Sequence, residues 1–280
     1  MRNLPQLTAV AALVLASTLA PAQATDAAHD EPVPAVVYSS ASPSTPILPA
    51  SLVLPRMAPE LALQLVQAHG VWQSTELVAY SDDVEIDAQL PDSAQKANFQ
   101  LLRQYTAPNG LKFTPVRFSG DGFVKQNVIN RLLQSEVEHA EHGDDPRTAL
   151  SEKNYKFSYK GRDHIDGREV HVFQVKPRRK EPGLFKGRIY VDTLTGTLRR
   201  AEGTLVKSPS FFIKSIDFVQ DYDDVAGFTL PVRMQSTAVT RIVGRAVVNI
   251  FHRNYHPQSL AQSEPQNTTV PVIAAGGLLQ

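Results

Sequence analysis

The chain has 280 residues, 28 of them basic and 28 acidic, and no cysteine. Balanced charge argues against nucleic acid, which calls for a concentrated basic face, and against tight binding to anionic lipid headgroups. The lack of cysteine excludes disulfides, thiol catalysis, thiolate metal sites and a lipid carried on an N-terminal cysteine.

Residues 1–24 have the pattern of a secretory signal peptide. Arg2 stands ahead of the apolar stretch 7–20, and Ala22-Gln23-Ala24 is a small-x-small cleavage site. An uncleaved anchor is the alternative reading. Cleavage removes Arg2, which leaves 27 basic against 28 acidic residues, a net of −1. The expected compartment is the periplasm. No later apolar run reaches the roughly 18 residues a membrane-spanning helix needs, so none is expected after cleavage.

Residues 25–58 read as a linker, with Pro32, Pro34, Pro43, Pro46, Pro49 and Pro55 among Ser, Ala and Thr. Residues 257–280 read as a polar tail. Residues 59–256 remain as one domain of about 200 residues, which hides roughly 70% of its unfolded surface and can hold together by packing alone.

Within the domain a helix is predicted over 60–69. Pro59 suits its start, Leu61 and Leu65 form an i, i+4 pair, and Gly70 is the expected stop. Strands are expected over 71–79 and 84–90, where Val84, Ile86 and Ala88 alternate with polar residues. Ser81-Asp82-Asp83 is either the turn between them or a bulge inside one long strand. After a loop over 91–96, strands over 99–105 and 111–118 meet at the turn Pro108-Asn109-Gly110. A long helix follows, with Asp121 as N-cap and Gly143 as stop. Its apolar stripe runs through Phe123, Val124, Val128, Ile129, Leu132, Leu133 and Val137.

From Tyr155 to Tyr255 the chain alternates strands with tight turns. Tyr155, Phe157 and Tyr159 share one face, and Asp166-Gly167 turns into 169–176. Further strands are expected over 185–192, 197–207, 211–222, 228–241 and 244–255. That makes ten or eleven strands and two or three helices. The predicted class is α+β, mainly β. Short turns make the sheet antiparallel and sequential; so many strands must curl, and the helices cover the concave apolar face.

The run Asp166-Gly167-Arg168-Glu169-Val170-His171-Val172-Phe173-Gln174-Val175-Lys176-Pro177 leads to Gly187-Arg188-Ile189-Tyr190-Val191-Asp192 with Gly196, and then to Gly227-Phe228-Thr229-Leu230-Pro231. This pattern resembles the periplasmic outer-membrane lipoprotein-sorting proteins, the LolA/LolB-like family. The resemblance implies an unclosed antiparallel barrel with helices in its mouth and an apolar cavity for acyl chains. It covers about 100 residues and is a strand-and-turn signature, so no family ligand contact is carried over.

Several strands are apolar on both faces, which exceeds what one covered face needs. Val170 and Val172 oppose Phe173 and Val175. Phe211 and Ile213 oppose Phe212, Ile216 and Phe218, and Val247 and Phe251 oppose Val248 and Ile250. A plain two-sided core accounts for this, as does a hydrophobic pocket between sheet and helices. On the pocket reading the lining comprises Phe123, Ile129, Leu133, Val172, Ile189, Val191, Ile216, Phe218, Met234 and Val247, with residues 123–137 as plug or lid. The partner is then a lipid or a lipidated protein, bound by a monomer without a cofactor. The alternative is an envelope sensing or scaffolding protein that uses the same fold on a protein partner. No nucleophile elbow or phosphate loop is present, and no enzyme is expected.

Other clusters carry plainer readings. His139, His142, Asp144 and Asp145 could hold Zn²⁺ or Cu²⁺, or form a solvated helix end. Asp163, Asp166, Asp192, Asp217, Asp221, Asp223 and Asp224 could include an acid–base pair, but most fall at turns. Lys176-Pro177-Arg178-Arg179-Lys180 could meet phosphate or an acidic partner, or be a solvated loop.

Overall fold

The computed structural model describes residues 56–108, 110–141, 148–208, 213–241 and 244–260. The leader, most of the linker and most of the tail lie outside them. So do His142, Asp144, Asp145 and the side chain of His139, the candidate metal cluster.

Ten strands form one antiparallel sheet: β1 (Leu77–Leu90), β2 (Gln95–Thr106), β3 (Gly110–Gly120), β4 (Tyr155–Ile165), β5 (Arg168–Pro177), β6 (Phe185–Asp192), β7 (Leu198–Leu205), β8 (Ile213–Val225), β9 (Phe228–Thr240) and β10 (Arg245–Ser259). Their order is β3-β2-β1-β10-β9-β8-β7-β6-β5-β4. Sequential pairing holds everywhere but one place: β10 returns to pair with β1, Ile86 opposite Ile250. The free edges are therefore β3 and β4 rather than the first and last strands. The sheet curves and stays unclosed.

Turn chemistry sets the hairpins. Asp166 and Gly167 both take positive φ, as a two-residue hairpin turn requires. The curl needs glycine where β6 meets β7. Gly187 faces Gly203, and a Cβ on Gly187 would stand 1.8 Å from the Glu202 carbonyl oxygen. Only backbones without side chains approach this closely.

α1 (Pro59–Glu76) has proline in its first turn and runs past the expected stop at Gly70. Residues 71–76, predicted as strand, are helix. The reason is tertiary. Gln73 donates from Nε2 to the Thr229 carbonyl and accepts the Thr229 N–H at 2.9 Å, so its amide pairs like a strand residue with β9. Trp72 stacks on Phe228 with ring centroids 5.1 Å apart. The buried stripe is Ala62, Val66, Gly70 and Gln73. The small residues let the helix lie close to the sheet, and Gly70 is a contact rather than a stop. Leu61 and Leu65, the pair that suggested the helix, face outward.

Residues 77–90 are one strand, with a bulge between Ser81 and Asp83 against β10. A bulge between Ile213 and Ser215 has a similar effect on β8. It brings Ile213 to the same core as Ile216 and Phe218, where unbroken alternation had set them apart.

The second long helix follows β3 and packs against β1, β2 and β3. Asp121 caps it, accepting the N–H groups of Phe123 and Val124 at its Oδ1. It comprises α2 (Gly122–Val124), a π-helical stretch (Lys125–Ile129) and α3 (Asn130–Glu141). Its Val124, Val128, Ile129 and Leu132 join the main core with the inner-face residues of the sheet.

Candidate functional site

The inner wall is apolar over most of its area. Six of the predicted lining residues, Ile129, Ile189, Val191, Ile216, Phe218 and Met234, meet in one buried cluster, and Leu133 packs against it half-buried. Phe123 is 45% exposed at the helix start. Val172 and Val247 are corrections. Val172 packs with Val170 and Tyr190 in a separate cluster on the outer face. Val247 is half-buried between Ala246 and Val248, which point to the core. Both strands are apolar on two sides, so alternation defines the faces without saying which is inner.

Ile129, Ile189 and Val191 are fully buried. A gap wide enough for a hydrocarbon tail would leave them in contact with water. The core is therefore closed at these residues; α1 packs against β6, and the second helix against β1, β2 and β3.

Toward one end the inner rows turn polar. On β1 the row Ile86, Val84 continues to Asp82. On β2, Phe99 and Leu101 continue to Arg103, and on β10 Ile250 continues to His252. Asp82 is 1% exposed and Arg103 3%. Arg103 grips Asp82 with two bonds, Nε to Oδ1 at 2.7 Å and Nη2 to Oδ2 at 3.1 Å. It also donates to the Tyr255 hydroxyl at 2.9 Å, which in turn donates to the Pro231 carbonyl. The guanidinium lies 5.0 Å from the Tyr80 ring centroid. His252 Nδ1 lies 2.9 Å from Asp82 Oδ2, and with the imidazole neutral this nitrogen donates.

Each charge has a stated cause. Burial pushes the Asp82 carboxyl up, but His252 and Arg103 together outweigh it and hold it below the usual range. Burial disfavours the Arg103 cation, yet Tyr80, Tyr255 and Asp82 keep its pKa well above the ordinary value. Burial and the Arg103 charge bring His252 down to about 4, against the pull of Asp82. An imidazole neutral to so low a pH suits structural support rather than proton transfer near neutrality.

Glu136 comes from α3 and is 8% exposed. Among the described residues it makes no hydrogen bond or ion pair. Burial, with a smaller push from Asp82, raises its carboxyl to about 7 despite the attraction of Arg103. Sequence reasoning missed this cluster. Asp82 sits in a Ser-Asp-Asp run that reads as a turn or a bulge, and Arg103 and His252 look like ordinary strand surface residues. Each falls two residues beyond an inner apolar neighbour, which was the available signal.

The other candidates sit in turns and ion pairs, and of the carboxylates Asp192 is buried beside Arg199. Arg200 pairs with Asp221 and Arg199 with Asp223, while Asp192 caps its own turn through the N–H groups of Leu194 and Thr195. In the basic loop, Arg178 donates to the Glu152 carbonyl and Arg179 pairs with Glu181. Among the described residues, no helix is long and apolar enough to cross a membrane.

A family of unknown function, DUF5686, matches residues 148–257. No functionally curated protein is similar to the chain. Several solved structures show a distant likeness to the chain. A DUF1329 family protein from Desulfovibrio piger is 11% identical, with 71% of this chain and 90% of that one covered and a TM-score of 0.38. A domain provisionally assigned to outer membrane lipoprotein sorting, from Vibrio parahaemolyticus, is 9% identical over 68% and 88%, with a TM-score of 0.34. A LolA superfamily protein from Nitrosomonas europaea is 10% identical over 64% and 86%, with a TM-score of 0.29. At such values none of these neighbours assigns a role here.

Proposed function

We propose that the protein is an exported binding module of the cell envelope, which holds an acyl chain of a lipid or lipidated protein on the inner wall once the second helix moves aside. The observation that carries this reading is one buried apolar cluster in which Ile189, Val191, Ile216, Phe218 and Met234 of the sheet join Val124, Val128, Ile129 and Leu132 of the second helix. Hydrogen bonds tie that helix to the sheet at its start, where Asp121 N–H donates to the Lys96 carbonyl and Gln95 donates to Asp121. Beyond that point Val124, Val128, Ile129, Leu132 and Leu133 hold it by packing.

Magnitudes favour exchange. Five such side chains contribute about 1.5–3 kcal/mol each when buried, on the order of 10 kcal/mol together. An acyl chain gains roughly 0.8 kcal/mol per methylene, again on the order of 10 kcal/mol before association and ordering costs. A guest can thus replace the helix on the wall with little net change, which suits a module that must both load and release. The reading needs no cofactor and no bond chemistry.

Native mass spectrometry of protein taken from the periplasm without detergent tests this. The expected result is a co-purifying species that organic extraction identifies as acylated. A clean apo mass, with no uptake of an added acyl probe by folded protein, refutes it.

One observation favours a second reading, a protein-partner surface. Leu61 and Leu65 are 48% and 37% exposed on α1, and Leu194 is 52% exposed in the turn beside them. Leu65 stands against Gly196 of that same turn. A stable envelope partner that requires these leucines, recovered together with an apo mass, selects this reading over acyl binding.

A further inference from the structure

Near-neutrality describes the chain as a whole, yet the sheet sorts its charges by position. On β1, Asp83, Glu85 and Asp87 alternate with the core residues Val84, Ile86 and Ala88 and so share the outer face. Near the opposite edge of the sheet the outer face carries cations instead. Lys156 on β4 stands directly opposite Lys176 on β5. One step past the Val175–Gly187 pair, the register sets Lys176 opposite Lys186 on β6. Neighbouring strands lie about 4.8 Å apart, so the three lysines form a row across the sheet. They share the face of Val172 and Tyr190, away from Phe173 and Ile189.

All three are exposed, and among the described residues none of them makes a hydrogen bond or an ion pair. Like charges directly opposite one another destabilise a sheet, and here no carboxylate offsets the cost. Beside the row the surface opens. Where Gly187 pairs with Gly203, a hollow of about 360 Å³ is bordered by Lys186, Arg188, Gln174 and Thr204. The two carboxylates at its rim already accept hydroxyls, Glu202 from Tyr190 and Asp217 from Thr204. The basic run that follows β5 lies at the same end. Its Arg178 and Arg179 are bound to the Glu152 carbonyl and to Glu181, but Lys180 is exposed.

We propose that this outer face of β4–β6 docks on an anionic membrane surface, with lipid phosphates along Lys156, Lys176 and Lys186 and a headgroup in the hollow beside Arg188. A protein partner needs apolar or aromatic anchors at the centre of its interface. Among the described residues, none of the large apolar side chains left exposed lies on this face. A headgroup layer asks only for charge. The acids of β1 lie far across the sheet, so an anionic surface attracts one side of the molecule and repels the other, which orients it. The docking rests on the acyl-binding reading only for its purpose, to bring the module to a source of guest.

Flotation of the purified protein with phosphatidylcholine vesicles, with and without one third phosphatidylglycerol, tests this. The expected result is binding to the anionic vesicles alone, lost at about 0.5 M salt, where surface charge reaches only a few Å. Each lysine near such a surface contributes a factor of about five, so the triple variant Lys156→Gln, Lys176→Gln, Lys186→Gln should bind roughly a hundredfold more weakly. Exposed substitutions of this kind leave the fold intact. A matched triple, Lys96→Gln, Lys112→Gln, Arg117→Gln, removes the same charge from exposed positions near the other edge and should bind as the unmodified protein does. No binding to the anionic vesicles, or equal weakening by both triples, overturns the inference. Capture of soluble polyglutamate by the same lysines, with vesicles ignored, overturns it too and assigns the face to an acidic protein. No acyl guest enters these measurements. Vesicle binding beside a clean apo mass removes the acyl reading and leaves the docking, and acyl uptake by a protein that ignores vesicles does the reverse.

Discussion

Replacing Arg103 with methionine removes the cation that neutralises Asp82 and keeps the aliphatic bulk. Asp82 is 1% exposed, and its two bonds to Arg103 are 2.7 and 3.1 Å long. Taking one partner from a buried pair costs about 3–5 kcal/mol, because the remaining charge is stranded. In urea that corresponds to a midpoint lowered by roughly 1–2 M at an unchanged slope. A second signature separates stranded charge from lost packing. Arg103 is one of the two forces that depress His252; without it, the imidazole beside Asp82 gains a proton more easily. Its folded pKa then rises toward the ordinary value, so the variant loses less stability than the unmodified protein as pH falls below 6.5. The defect of Arg103→Met should therefore shrink on moving from pH 7.5 to 5.5. Adding Asp82→Asn should recover more than about 1 kcal/mol at pH 7.5, since the stranded charge is gone and His252 keeps an acceptor. A loss below 1 kcal/mol for the single variant, or a defect that deepens on acidification, refutes this account of the cluster.

The remaining predictions concern other bonds and shapes. In the unmodified protein His252 is depressed to about 4, so stability present above 6.5 is lost as pH falls toward 4, by about 3 kcal/mol at most; His252→Asn should flatten that acid limb in urea titrations at successive pH values. Gln73→Leu strips the Thr229 backbone N–H and carbonyl of their side-chain partners on α1 and should cost about 1–3 kcal/mol in chemical denaturation, with a loss under 0.5 kcal/mol counting against the role given to Gln73. Gly187→Ala forces a Cβ to within 1.8 Å of the Glu202 carbonyl and should prevent the native β6–β7 pairing, seen as aggregation or lost strand signal in circular dichroism; an unchanged melting temperature would show that the sheet relaxes there.

Much of the architecture was legible because it is local. Turn residues such as Asp166-Gly167 and period-two alternation place most strands within a few residues of their ends. What escaped is tertiary. Gly70 looks like a helix stop, and only its burial beside Val66 and Gln73 explains why α1 continues. The β1–β10 pairing joins strands more than 150 residues apart, and nothing within either strand announces its partner. Val172 and Val247 were assigned to the wrong face because a strand apolar on both sides carries no label for inside. The polar end of the wall went unseen for a related reason. Asp82, Arg103 and His252 are widely separated in the chain, and each looks like an ordinary surface residue until the register aligns them.

The claim on which the account depends is that a guest and the second helix compete for one wall. Hydrogen exchange with a single-chain acyl probe, titrated below its micelle concentration, measures that competition. The account predicts that protection over 124–137 falls in proportion to bound probe while residues 189–191 stay protected. Probe that binds folded protein and leaves the helix as protected as before, or more so, contradicts it.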